Sequence, residues 1–75
     1  MNNERRKQIR EIVKKVEGIQ SDLNMVLDDE QYAYDSMPEG LQNSERGFNS
    51  EESIDLLGEA IDSIGDCIDS LNNIM

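Results

Sequence analysis

Apolar residues recur along the first half of the chain with the spacing of a coiled-coil seam. With Ile9 at heptad position a, the residues Ile9, Ile12, Val16, Ile19, Leu23, Val26, Glu30, Ala33 and Met37 alternate steps of three and four, and Glu30 alone breaks the apolar rule. The pattern predicts one long amphipathic helix over about 3–36. Pro38 ends it, because the residue before a proline is pushed out of the helical region. A second seam, Ile54, Leu57, Ile61, Ile64, Ile68, Leu71 and Met75, keeps the same alternation without exception, and the heptad is visible as LGEAIDS at 57–63 followed by IGDCIDS at 64–70. It predicts a second helix over about 50–74, N-capped by Asn49 or Ser50, with Glu51 and Glu52 at the positive end of its dipole. The stretch between, residues 37–49, reads as an ordered capping loop in which Pro38 opens one helical turn through Gln42. Met37, Leu41 and Phe48 are expected to fold down over the end of the helix pair.

The fold class that follows is all-α: a single domain over 1–75 built as an antiparallel helical hairpin, with the N-terminal end of the longer first helix overhanging. The hairpin has more apolar width than one partner helix covers. In the second helix the flanking g positions are Ser53, Ala60, Cys67 and Ile74, and the e positions are Gly58, Gly65 and Asn72, so four of seven positions are apolar or small. In the first, Val13, Leu27 and Tyr34 lie at e beside the a/d stripe. Self-association into a four-helix bundle or a higher helical oligomer is therefore expected, through Leu57, Gly58, Ala60, Ile61, Ile64, Gly65, Cys67, Ile68 and Leu71. Gly58 and Gly65 each cost about 1 kcal/mol against Ala inside a helix, which close approach of another backbone would offset. The alternative is that they merely loosen an exposed surface.

Composition narrows the chemistry. The chain has 75 residues, no His and one Cys. An intramolecular disulfide is excluded, and a zinc site lacks its usual ligands. Without histidine there is no Ser-His or Cys-His arrangement. No phosphate-cradling glycine loop or calcium loop is present. Cys67 reads as a small packing residue, since Asp66 and Asp69 beside it disfavour the thiolate. No enzyme, no metal and no cofactor are expected. No apolar run is long enough to cross a membrane and no secretory leader is recognisable, so the expected location is the cytoplasm of a host cell.

Charge singles out two stripes. The formal net charge is −10 from 17 acids and 7 cations, yet six of those cations lie in the first 15 residues. Lys7, Arg10 and Lys14 point away from the first seam and, with Arg6 and Arg46, are the candidate phosphate-binding residues; internal charge balance is the plainer reading. On the second helix Asp55, Glu59, Asp62, Asp66 and Asp69 form an acidic face. Such a face keeps a small oligomer soluble, or it enters a basic groove on another protein. Met25 and Tyr32, seven residues apart at c positions of the first helix, are adaptable contact residues that complete the candidate partner surface. Glu30 is expected to pair with Arg46 or to escape to solvent.

The segment from Tyr32 to Gly47, YAYDSMPEGLQNSERG, is the most distinctive part of the chain. It resembles the Tyr-x-x-Met-Pro-Glu-x-Leu-Gln-x-Ser-Glu-Arg linker of short acidic proteins from phages and prophages of Gram-positive bacteria. The likeness spans about residues 30–71. It assigns no activity, so no functional residue carries over. It implies a small accessory protein of a phage or mobile element, of a kind that often binds and blocks a host component, defence systems included. The leading expectation is thus a self-associating protein that acts by binding a host protein, with no role for nucleic acid or membrane. The alternatives are an oligomeric sponge for an anionic nucleotide, using cations such as Arg6, Arg10 and Arg46, and a spacer in virion structure or assembly.

Overall fold

The computed structural model describes residues 1–74, so Met75, the last apolar position of the second seam, lies outside the described residues. Three helices follow one another: α1 (Asn3–Asp35), α2 (Glu39–Gln42) and α3 (Glu45–Asn72). α1 and α3 pack lengthwise as the hairpin that the two seams predict, with extents of 58 × 15 × 12 Å. Its radius of gyration of 17.2 Å compares with about 11 Å for a compact globule of this length, so the core is a single thin layer.

α1 begins where Asn2 accepts a 2.9 Å hydrogen bond from the Arg5 backbone N–H, satisfying one of the free donors of the first turn. It closes one residue before its expected limit, with the N–H groups of Ser36 and Met37 bonded to the carbonyls of Tyr32 and Tyr34. Pro38 then opens the one-turn α2 through Gln42, as expected, its carbonyl accepting from Leu41 and Gln42 at 2.9 and 3.1 Å.

The second long helix starts five residues earlier than expected, at Glu45, and its N-cap is Ser44 in extended conformation rather than Asn49 or Ser50. It also ends earlier, at Asn72. The capping loop over 37–49 is correspondingly reduced to a corner. The reason is Gly47. A Cβ placed there would lie 2.5 Å from the Gln42 carbonyl carbon and 2.6 Å from the Leu41 oxygen, and closer still to the Gln42 oxygen. Only glycine lets the first turn of α3 sit this close to the end of α2. Met37 is half-buried at this corner, whereas Leu41 and Phe48 are exposed and do not fold over the hairpin as expected.

The seam itself differs on α1. α3 turns in the expected residues, with Ile54, Leu57, Ile61, Ile64, Ile68 and Leu71 half-buried. α1 turns in Ile9, Val16 and Leu23 from position a, and pairs them with Val13, Leu27 and Tyr34 from position e. Its d stripe stays outside: Ile12, Ile19 and Val26 are 47%, 53% and 52% exposed, and Ala33 is exposed as well. Polar partners account for the choice. With the e side inward, Gln20 donates through Nε2 to the Ile61 carbonyl across the seam at 3.3 Å. Tyr34 donates its hydroxyl to the Glu51 carboxylate. Gln42 reaches back to the Tyr34 carbonyl at 3.0 Å, a second hydrogen bond to an acceptor that also takes the Met37 N–H at the end of α1. Val13 is the only buried apolar side chain among the described residues.

Candidate functional site

Between α1 and α3 runs an open groove of about 540 Å³. Leu27, Ile54 and Gly58 supply its apolar part; Asp28 and Gln31 from α1, with Asp55, Glu59 and Asp62 from α3, supply its polar part. The helical repeat builds it. Asp55 and Asp62 are seven residues apart with Glu59 between them, so all three project from one side of α3, and Asp28 and Gln31 answer from α1. Gly58 adds no side chain, and nothing would meet a Cβ there within 4 Å. Four carboxylates and no cation line the groove, so it attracts positive charge. No group of three or more carboxylates and thiols is arranged to hold a metal among the described residues.

The acidic stripe read from the sequence is thus divided. Asp55, Glu59 and Asp62 reach the groove, while Asp66 and Asp69 continue along α3 beyond it, both exposed. Met25 and Tyr32 are exposed on α1 and are not among the groove's lining residues. Asp28 and Gln31 belong to the groove and were not singled out by the stripe. Their position relative to α3 depends on α1 turning its e side inward.

The cations are not brought together. Arg6, Lys7, Arg10 and Lys14 lie on the first turns of α1, while Arg46 lies at the start of α3, near the opposite end of a 58 Å rod. Arg6 is half-buried at the end of the seam, and its Nε has no hydrogen-bond partner among the described residues. The expected pairing of Glu30 with Arg46 is replaced by another. Glu30 accepts a 2.6 Å hydrogen bond from the hydroxyl of Ser50, which is buried, while Arg46 is exposed. A serine one turn inside α3 satisfies the acid without a second buried charge. The hydrogen bond to Glu51 raises the Tyr34 pKa, as do partial desolvation and the nearby charges of Glu51 and Asp35.

The residues assigned to self-association divide too. Leu57, Ile61, Ile64, Ile68 and Leu71 are spent within the hairpin, and Gly58 and Gly65 lie half-buried beside them. Neither glycine is needed for space inside the chain, since the nearest atom to a Cβ at Gly65 is the Gln20 side chain at 3.5 Å, an ordinary contact. Ala60 and Cys67 are exposed, so packing of Cys67 on the seam flank is not made within one chain. No protein-family model, curated protein or solved structure matches the chain. Among the described residues, no helix is long and apolar enough to cross a membrane.

Proposed function

We propose that this protein is a non-enzymatic, self-associating accessory protein of a phage or mobile element that acts in the host cytoplasm by binding a host protein, a defence component among the candidates. The observation that supports binding is the open groove lined by four carboxylates and no cation. Its complement is a basic protein surface, and long-range attraction would speed the encounter. The linker resemblance supplies the phage context.

The test is affinity capture from a Gram-positive host lysate with the wild-type chain and with the triple variant Asp55→Asn, Glu59→Gln, Asp62→Asn. The wild type should retain a basic protein in a salt-sensitive manner, and the variant should lose it. Recovery of the bait alone, or of the same proteins by both chains, refutes the reading.

A further inference from the structure

We infer that two copies of this chain pair antiparallel through the face carrying Ile12, Ile19 and Val26, with the two-fold axis passing at Ile19. This specifies the self-association proposed above and concerns residues outside the acidic groove.

Area comes first. The chain exposes 5550 Å². A monomeric protein of its 8.5 kDa mass exposes about 4,700 Å². The excess of about 900 Å² matches the ~800 Å² that each partner contributes to a standard interface. The α1 stripe left outside carries three β-branched side chains, against two on the inward a stripe. Each helix carries its half-buried residues on the seam, with the α1 stripe to one side. At about 100° per residue, the exposed Ala60 and Cys67 of α3 fall on that same side, opposite Asp55 and Gly58 of the groove.

Charge then selects the orientation. Residues 1–20 and 62–74 form the open half of the hairpin and carry six cations and six acids, whereas residues 21–61 carry one cation and eleven acids. Parallel copies would press two strongly acidic ends together. Antiparallel copies set each acidic end beside the half that holds the cations. The edge of the stripe repeats this logic residue by residue. An axis at Ile19 sets Ile12 against Val26 of the second copy, and Lys15 beside Asp22 of the second copy, twice over by symmetry.

α3 fits the same axis. Gln20 bonds the Ile61 carbonyl and its amide faces Gly65, so Ile19 lies level with about residues 63–64 of α3. The axis therefore brings Ala60 of one copy against Cys67 of the other, two small side chains where a second backbone must come close.

The experiment has two readouts on the full chain. Sedimentation equilibrium of the wild type at about 100 μM should give twice the 8.5 kDa chain mass. Ile19→Glu, which sets two carboxylates face to face on the axis, should give the monomer with helical circular dichroism retained, and Gln31→Glu in the groove should leave the dimer intact. If Ile19→Glu unfolds the chain, the Lys15→Asp and Asp22→Lys pair decides: each alone should shift the mass toward monomer, and together they should restore the dimer. The second readout is register. Positions 60 and 67 of one chain are about 10 Å apart along α3, beyond the ~7 Å limit for a disulfide. Under oxidised glutathione, Ala60→Cys should therefore form a covalent dimer while the wild type, with Cys67 alone, should not. A monomeric wild type, or a dimer that Ile19→Glu leaves intact, overturns the inference. So does a dimer in which Ala60→Cys fails to cross-link, or in which Cys67 alone cross-links. Host-protein capture is read separately, so a monomer that still captures its partner sinks this arrangement and not the binding role.

Discussion

Gly47→Ala tests the corner that sets the start of α3. Alanine is favoured over glycine by about 1 kcal/mol in a helix interior and by no more than that in the first turn, where Gly47 sits, so propensity alone predicts a gain. The surroundings predict a loss. The new Cβ would meet three backbone atoms of Leu41 and Gln42, two of them at 2.5 and 2.6 Å, where ordinary contact begins near 3.4 Å. Backbone cannot swing aside as a side chain does, so α2 and α3 must separate by about 1 Å. Overpacking of this kind costs about 1–3 kcal/mol. Displacing α2 also strains the Gln42 hydrogen bond to the Tyr34 carbonyl, worth about 1 kcal/mol. Set against the propensity gain, the net loss is about 2 kcal/mol, or 8–16 °C in Tm for a domain of this size. Gly18→Ala is the matched control. It sits within α1 with nothing within 4 Å of its Cβ, and should stabilise by about 1 kcal/mol. Urea melts followed at 222 nm, at one fixed protein concentration because pairing would shift the midpoint, compare both with the wild type. A Gly47→Ala chain as stable as the wild type would refute the account of the corner.

Three further outcomes follow from the same contacts. Ser50→Ala should cost about 1–2 kcal/mol by leaving the half-buried Glu30 carboxylate without its hydroxyl, and clearly less in a Glu30→Gln background; equal losses in a double-mutant cycle would dissolve the pair. Val13→Ala should cost about 2 kcal/mol in denaturant melts, against under about 0.5 kcal/mol for Tyr32→Ala at 76% exposure, and a reversed order would relocate the core. The raised Tyr34 pKa means that the folded chain holds the phenol proton more tightly than the unfolded chain does. Its contribution is therefore complete below the ordinary tyrosine value of about 10 and is lost as pH rises through the raised value. Thermal melts from pH 8.5 to 11.5 should show a smaller alkaline loss in Tyr34→Phe than in the wild type, and parallel curves would remove this link.

The two long helices were legible because their periodicity is long and regular, and the end of α1 because Pro38 admits few alternatives. The start of α3 was not. Ser44, Asn49 and Ser50 are all of residue types that favour the N-cap, and the fit of Gly47 against α2, which goes with a start at Ser44, is a contact that no local pattern carries. The inward face of α1 was hidden for a different reason. Positions a, d and e are all largely apolar, so pattern alone ranks the a/d pair first. Gln20 and Tyr34, both at e, decide otherwise, through partners 41 and 17 residues away that no local pattern reveals. The groove inherits that difficulty. Three of its acids were visible as a stripe on α3, but Asp28 and Gln31 join them only once the rotation of α1 is known.

The polar links between distant parts of the chain are unevenly spread. Those from Glu30 to Ser50, Tyr34 to Glu51 and Gln42 to Tyr34 gather at the corner, while the Gln20 bond stands alone further along. The rod is thus latched at its bend, and the two chain ends are held chiefly by their greasy contact. Opening should travel in one direction, from the tips toward the latch, with amide exchange fastest near residues 3–10 and 65–72 and slowest beside Ser50. A protease or a pulling partner would find its purchase at the tips.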